Sequence, residues 1–259
     1  MSRKEVLILL CIFHIQNRRV EGDDFFMTGG ARFKCFPSQI PEDCNQDFTD
    51  AYPELSRSVR NDTLADTYFY FLTSKNPDVP EPLHKCGGKL PKGTNFNPEN
   101  EFKIYIQPFF INVCDTAIAR EMKDQLLERA DFNVMIVDDS WAMSFDAPSA
   151  IANVELIGKQ VATVLQNIQD QTGIAYDKIH IITHSLGAQV AGAIGKHFKF
   201  YRITGLDPAA PSYADESLSI DRRLDPTDAE IVEVVHCDAE PCTKLGNNIR
   251  CRRLQFLYE

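Results

Sequence analysis

The sequence predicts an α/β fold in which helices cover a mostly parallel, doubly wound sheet. Short apolar runs that are typical of buried strands alternate with longer stretches whose apolar residues recur at helical spacing. One run, residues 179–182, passes through the turn His184-Ser185-Leu186-Gly187 into a stretch rich in small residues, and a later run ends at Asp207. Because such alternating elements are joined by right-handed crossovers, the strands are expected to be mostly parallel.

Apolar periodicity assigns the strands and helices, and proline and polar residues assign the loops. Residues 76–100 contain five prolines and are predicted to be loop. The predicted strands are residues 67–73, 102–107, 133–137, 179–182, 200–204 and 231–236, and the predicted helices are residues 116–130, 151–168 and 185–196.

The 259 residues are enough for one domain, and 44% hydrophobic and 25% charged residues are ordinary values for a globular protein. Residues 1–22 are predicted to be a secretory signal, because Arg3 and Lys4 precede an apolar run too short to span a bilayer. An uncleaved amphipathic N-terminus is the alternative. Residues 23–66 are predicted to be an irregular lead-in and residues 67–259 the globular domain. We therefore expect a secreted, extracellular protein without a transmembrane segment.

The cysteines also favour secretion. Seven of the eight lie beyond the predicted signal, which in an oxidising compartment indicates up to three disulfides and one odd thiol. Cys35 and Cys44 are close enough in sequence to close a short loop, and two of Cys237, Cys242 and Cys251 can close another. The connectivity stays open at this point.

The net charge of −10 argues against nucleic acid as a partner. No cofactor and no metal are expected. Zinc bound by His236, Cys237, Asp238 and Cys242 is conceivable, but this spacing fits no usual ligand pattern, and cysteines of secreted chains more often pair with each other. Asn61 begins an Asn-Asp-Thr glycosylation sequon, which gains weight in a secreted chain.

Ser185 and Asp207 are the candidate catalytic pair. A sharp turn that bears a serine between a strand and a helix raises a nucleophile above a sheet. An acid follows at the end of the next strand, so two members of a Ser-His-Asp triad occur in the expected chain order, serine before acid. The alternative for Asp207 is a turn or capping aspartate before Pro208. Gly187 suits the tight turn, whereas the β-branch of Thr183 crowds a place where glycine is usual.

A tetrahedral oxyanion needs two backbone donors. The N–H of Leu186 is one candidate, because it follows the nucleophile at a helix N-terminus. The other is expected in the loop Gln107-Pro108-Phe109, where proline has no N–H and Phe109 is left as the donor.

Four stretches resemble the animal pancreatic lipase family, which includes secreted phospholipases A1 and insect yolk proteins. They are residues 96–98 (Phe-Asn-Pro), 184–188 (His-Ser-Leu-Gly-Ala), 203–209 (Ile-Thr-Gly-Leu-Asp-Pro-Ala) and 224–229 (Leu-Asp-Pro-Thr-Asp-Ala), the last leading to Val235-His236-Cys237-Asp238. The resemblance runs from about Tyr68 to Asp238. It implies an α/β-hydrolase that cleaves acyl esters of triglycerides or phospholipids at a lipid–water interface. Ser185 then matches the nucleophile, Asp207 the acid, and Leu186 and Phe109 the oxyanion donors.

The chain departs from the family pattern in several places. It has Gln107-Pro108-Phe109 for the usual His-Gly-Phe or His-Gly-Trp, Val137-Asp138-Asp139 for Val-Asp-Trp, and Thr183 for glycine. The family's catalytic histidine comes late, after a lid, in a Cys-x-His context. The ending, residues 251–259, resembles the helix that carries this histidine, and Arg253 then takes its place. Arginine cannot act as a base.

Three other histidines are candidates for the base. His180 in a buried strand is expected to be a satisfied core residue, and His184 is expected to point away from the hydroxyl and to be structural. His236, at a strand end on the functional edge, is the one candidate that remains, although the family has it as a structural residue.

The resemblance therefore implies a secreted ester hydrolase of lipids by lineage, with a domain incomplete at its C-terminal end and with weak or no activity in this chain. Whether the chain is an enzyme stays open. The alternative is a non-catalytic lipid-binding or storage protein on the same fold, as the yolk proteins are. A shortened splice form of an active enzyme is a third possibility.

Overall fold

The computed structural model describes residues 67–83, 88–109, 117–139, 142–143, 147–209, 213, 217–235 and 255–257. The strands are β1 (Tyr68–Leu72), β2 (Glu81–Pro82), β3 (Phe102–Ile106), β4 (Asn133–Asp138), β5 (Ile179–His184), β6 (Arg202–Leu206), β7 (Ile231–Val235) and β8 (Gln255–Leu257). The helices are α1 (Ala117–Arg129), α2 (Ala147–Thr172) and α3 (Leu186–Gly195), with short 3₁₀ helices at Tyr176–Lys178, Ile220–Arg222 and Pro226–Asp228.

The eight strands form a single sheet in the order β2-β1-β4-β3-β5-β6-β7-β8. The five strands from β4 to β7 in this order are parallel, while β1, β2 and β8 pair antiparallel to their neighbours. The mostly parallel α/β sheet predicted from the sequence is thus confirmed. Because β4 lies on one side of β3 and β5 on the other, the chain reverses direction across the sheet at β3, where α/β proteins place their ligands.

The core lies on both faces of this sheet. Strand residues alternate between the faces. One face packs its apolar residues against α2 and α3, and the other packs Tyr105, Ile136 and Ile182 against Ala119, Met122 and Leu126 of α1.

Most of the predicted elements are found within a few residues of their expected bounds. Strand β6 begins at Arg202 rather than at Phe200, because Phe200 is a buried loop residue whose ring stacks on Phe198. The proline-rich loop contains the two-residue strand β2, which pairs at the edge of β1.

The resemblance of the chain ending to a helix is wrong for residues 255–257. These residues form β8, which satisfies the open edge of β7 with Val232 opposite Leu257. Several other predictions concern positions outside the described residues: the signal 1–22, the lead-in 23–66, Asn61, His236, Arg253 and all eight cysteines.

Among the described residues, no helix combines the length and the apolar character that crossing a membrane requires.

Helices α2 and α3 pack very closely where Gly158 meets Ala193. A Cβ built at Gly158 would lie 2.4 Å from the Cβ of Ala193 and 3.0 Å from its carbonyl carbon. Since real carbon atoms do not approach this closely, glycine at 158 sets the distance between the two helices.

The carboxyl end of β4 leads into a buried acid, Asp139. Its side chain is fully buried, and neither carboxylate oxygen has a hydrogen-bond partner among the described residues. Burial raises the pKa of Asp139 well above the ordinary value, and the charge of Asp138 raises it further. An unpaired carboxylate is costly in such a place, so the neutral form is favoured.

Gly158→Ala should destabilise the domain by about 1–3 kcal/mol, because the added methyl overpacks the contact with α3. Alanine at an exposed helix position would instead stabilise it by up to about 1 kcal/mol. The free energy of unfolding, measured by urea denaturation with circular dichroism, distinguishes the two. An unchanged or raised stability would mean that α2 and α3 do not touch at this point.

Asp139→Asn should raise the free energy of unfolding at neutral pH and leave it nearly unchanged near pH 4. A carboxyl whose pKa is raised in the folded state contributes its full stability only below the unfolded pKa of about 4, and this contribution is lost as pH rises. The gain at neutral pH should be about 1.4 kcal/mol for each unit by which the folded pKa exceeds the unfolded pKa, because asparagine takes up no proton on folding. Asp177→Asn, at an exposed aspartate, is the control and should show no such pH-dependent gain. Equal pH profiles for the wild type and Asp139→Asn would mean that Asp139 is solvated.

Candidate active site

Ser185 is the single residue between β5 and α3. Its backbone has φ 52° and ψ −122°, a combination that residues with a side chain rarely adopt. Such strain costs about 1–3 kcal/mol and is concentrated at functional sites. The predicted strand-to-helix turn is therefore confirmed, and its geometry is that of an elbow that exposes the residue at its apex.

Backbone hydrogen bonds tie this elbow to the end of β6. The N–H of Ser185 donates to the carbonyl oxygen of Leu206 at 3.0 Å. The carbonyl oxygen of Ser185 accepts from the N–H of Ala188 at 3.1 Å and from that of Ala209 at 3.0 Å. Contacts from the next strand thus hold the strained conformation in place.

Gly187 brings the first turn of α3 against the end of β3. A Cβ at this position would lie 2.4 Å from the carbonyl oxygen of Gln107 and 2.7 Å from Oγ1 of Thr183. No side chain fits there. The close approach sets the N-terminus of α3, including Leu186, against Gln107, two residues before Phe109.

Thr183 is accommodated under the elbow, although its β-branch was expected to crowd the turn. The side chain is fully buried, and its hydroxyl has no hydrogen-bond partner among the described residues. The turn therefore forms around threonine, with a buried hydroxyl left unsatisfied.

Asp207 directly follows β6 and also has a positive φ, of 46°. Its N–H donates to the carbonyl oxygen of Val235 at the end of β7, at 2.7 Å. Since His184 pairs with Leu206 across the two strands, Ser185 and Asp207 leave neighbouring strands side by side. The structure thus brings both members of the predicted pair to the carboxyl edge of the sheet, each with a strained backbone and a partly exposed side chain.

Gln189 was not singled out in the sequence, yet it organises the loops after β6. Its side-chain N–H donates to the carbonyl oxygen of Ala209 and its side-chain oxygen accepts from the N–H of Leu224, both at 2.9 Å. The signal in the sequence is a lone polar residue within the apolar, small-residue helix that follows Ser185.

The three described histidines do not supply a base at this edge. His180 lies five residues before Ser185 along a strand, about 16 Å away, and bonds to Thr204, so the expectation of a satisfied core histidine is confirmed. His197 follows the far end of α3, about 18 Å from the elbow at 1.5 Å per residue. Burial lowers the pKa of His184 to about 4, which makes its imidazole a weak base at neutral pH.

A groove of about 470 Å³ lies between α2, α3 and residues 217–222. Ile151, Val154, Ala193 and Leu218 are among the residues that line it. Neither Ser185 nor Asp207 is among them, but Gln189, one helical turn after Ser185, is.

Comparison with known proteins places this architecture in a family. The Lipase family model matches residues 34–256. Human pancreatic lipase-related protein 2 is 30% identical over 178 residues, 68% of this chain and 37% of that protein. Human inactive pancreatic lipase-related protein 1 is 32% identical over 245 residues, 89% of this chain and 50% of that protein. Pancreatic triacylglycerol lipase of Oryctolagus cuniculus is 30% identical over 180 residues, 69% of this chain and 38% of that protein.

The chain spans half of the length of these relatives or less. The match of the family model extends over most of the chain, and the sheet carries its serine elbow where an α/β-hydrolase has it. This chain, with its α/β-hydrolase fold, belongs to the lipase family of pancreatic lipase and its relatives.

Proposed function

We propose that this chain is a carboxylic ester hydrolase of lipids by lineage, in which Ser185 is the nucleophile and Asp207 the acid. Leu186 and Phe109 supply the backbone donors for the oxyanion. In the same proposal the substrates are acyl esters of triglycerides or phospholipids at a lipid–water interface, and hydrolysis by this chain is weak or absent.

The strained elbow beside Asp207 is the observation that carries the assignment of the site. A serine in an ordinary turn would adopt a negative φ, and the unfavourable conformation at Ser185 has no evident structural benefit. A strained serine at a helix N-terminus, next to a carboxylate on the adjacent strand end, fits an acyl-transfer nucleophile.

The lack of a base beside Ser185 among the described residues supports weak or absent hydrolysis. A serine hydroxyl attacks an ester at a useful rate only when a base takes its proton. Among the described histidines, His180 and His197 lie far from Ser185, and burial lowers the pKa of His184 to about 4, which makes it a weak base. Loss of the histidine or the serine alone reduces the turnover of a triad hydrolase by roughly 10⁶-fold. His236 lies outside the described residues and is the base whose presence at Ser185 would reverse this part of the proposal.

A non-catalytic lipid-binding or storage role is the second candidate. Thr183 and Asp139, both buried near the carboxyl ends of the central strands, favour it, because both depart from the pattern of the family close to the site. One of the relatives above is itself named as inactive. Secretion, glycosylation at Asn61 and disulfide bonding belong to either version of the proposal.

The purified chain should resist labelling by a fluorophosphonate probe and show little turnover of tributyrin or phosphatidylcholine. Without a base, Ser185 stays a neutral alcohol and does not displace fluoride from phosphorus at a useful rate. Labelling is measured by intact-protein mass spectrometry and turnover by fatty-acid release.

Ser185→Ala is the matched control for this experiment. In the proposed state it should leave the residual hydrolysis almost unchanged, because the oxyanion donors and substrate binding supply that rate. Rapid labelling of the wild type that Ser185→Ala abolishes would show a working hydrolase. Flotation with phosphatidylcholine vesicles, equal for both proteins and without hydrolysis, would favour the lipid-binding alternative.

A further inference from the structure

A chain of polar side chains crosses the sheet toward its amino end, on the face that packs against α1. It runs across the four neighbouring strands β3, β5, β6 and β7. The strand pairing places Lys103 opposite His180 and Thr204 opposite Glu233. We call it the polar ladder; its members are Glu101, Lys103, His180, Thr204, Glu233 and Arg202. Lys103, His180 and Thr204 are buried, so the ladder lies largely inside the protein.

The two ends of the ladder fix the direction of its hydrogen bonds. Lys103 forms an ion pair with Glu101 and lies 4.7 Å from the ring centroid of Phe132, so its ammonium acts only as a donor. Its Nζ lies 3.3 Å from Nδ1 of His180. Nδ1 must therefore be the acceptor.

The hydrogen bonds at the other end of the ladder also place the proton of His180 on Nε2. Glu233 is held by Arg202, whose Nε donates to Oε2 at 2.9 Å, and a carboxylate only accepts. Thr204 Oγ1 lies 3.4 Å from this oxygen and donates its proton to it. The hydroxyl then accepts from Nε2 of His180, at 2.8 Å. His180 is thus the neutral tautomer with its proton on Nε2.

We propose that the polar ladder is an acid-sensitive latch that joins β3, β5, β6 and β7 while His180 is neutral and releases them when His180 is protonated. Protonation adds an N–H to Nδ1, which then points at the ammonium of Lys103 instead of accepting from it. The hydrogen bond is lost, and two positive charges face each other in a buried place.

The charged groups that face His180 among the described residues act mainly in one direction. Lys103 on β3 and Arg202 on β6 are positive, while Glu233 on β7 is already paired with Arg202 and Glu101 with Lys103. Burial lowers the pKa of His180 well below the ordinary value, and Lys103 and then Arg202 lower it further. The folded state therefore binds this proton less readily than the unfolded chain, and stability falls as pH drops below about 6.5.

His180→Gln tests the latch directly. Glutamine can accept from Lys103 and donate to Thr204 but cannot titrate. Between about pH 6.5 and 5.5 the unfolding equilibrium constant of the wild type should rise by up to about fivefold more than that of His180→Gln, the effect of one proton taken up by the unfolded chain. Urea denaturation of the full 259-residue chain at several pH values gives both constants. His197→Gln, at an exposed histidine outside the ladder, should keep more of the wild-type dependence of stability on pH than His180→Gln does, because burial lowers the pKa of His197 less strongly than that of His180.

Lys103→Met and nitrogen-15 NMR of the histidine rings keep the proposal testable if His180→Gln does not fold. Removal of the ammonium should raise the pKa of His180 toward the ordinary value and make the loss of stability on acidification smaller. The NMR spectrum of the wild type at pH 7 should show His180 protonated on Nε2 alone. The proposal is overturned if His180 carries its proton on Nδ1, if it titrates near pH 6.5 in the folded chain, or if wild type and His180→Gln lose stability equally.

Discussion

The rest of the site depends on one constraint, the strained turn at Ser185. Ser185 is held at φ 52°, although it has a side chain, because contacts with the ends of neighbouring strands fix its backbone. The carbonyl oxygen of Leu206 accepts from Ser185, and α3 starts so close to β3 that only glycine fits at 187. Asp207 is held in turn by Val235 of β7. Backbone bonds between strands thus position the candidate nucleophile and acid.

Among the described residues, some buried polar groups are hydrogen-bonded at one end of the sheet, and others lack partners at the other end. Toward the amino end, Lys103, His180, Thr204 and Glu233 satisfy one another in a directed chain of hydrogen bonds. At the carboxyl end, Asp139 and Thr183 are buried with unsatisfied oxygens. Satisfied networks make a core rigid, whereas unsatisfied groups lower stability and are tolerated mainly near functional sites. The hydrogen-bonded polar groups that stabilise the sheet therefore lie toward the amino ends of the strands, and the residues that depart from the family pattern lie at the carboxyl ends.

Apolar periodicity was enough to predict most of the sheet and all three helices. It placed β6 too early, because Phe200 is buried by packing against the core rather than by strand pairing. It missed β2, since a two-residue edge strand carries no periodic signal. The turn at Ser185 could be predicted because an apolar strand, a serine followed by Gly187, and a helix rich in small residues follow one another in the sequence. The departure at Asp139 was visible in the sequence, but its complete burial follows from tertiary packing that the sequence does not display.

The position of the nearest imidazole to the Ser185 hydroxyl tests the central claim most directly. A crystal structure of the 259-residue chain, with the region around His236 well ordered, would measure it. The proposed function predicts the strained elbow at Ser185, Asp207 on the neighbouring strand end, and no imidazole nitrogen within about 3.2 Å of the hydroxyl oxygen, the reach of a general base. An imidazole of His236 within that distance, with its other nitrogen bonded to the carboxylate of Asp207, would contradict it and would make this chain a complete triad hydrolase.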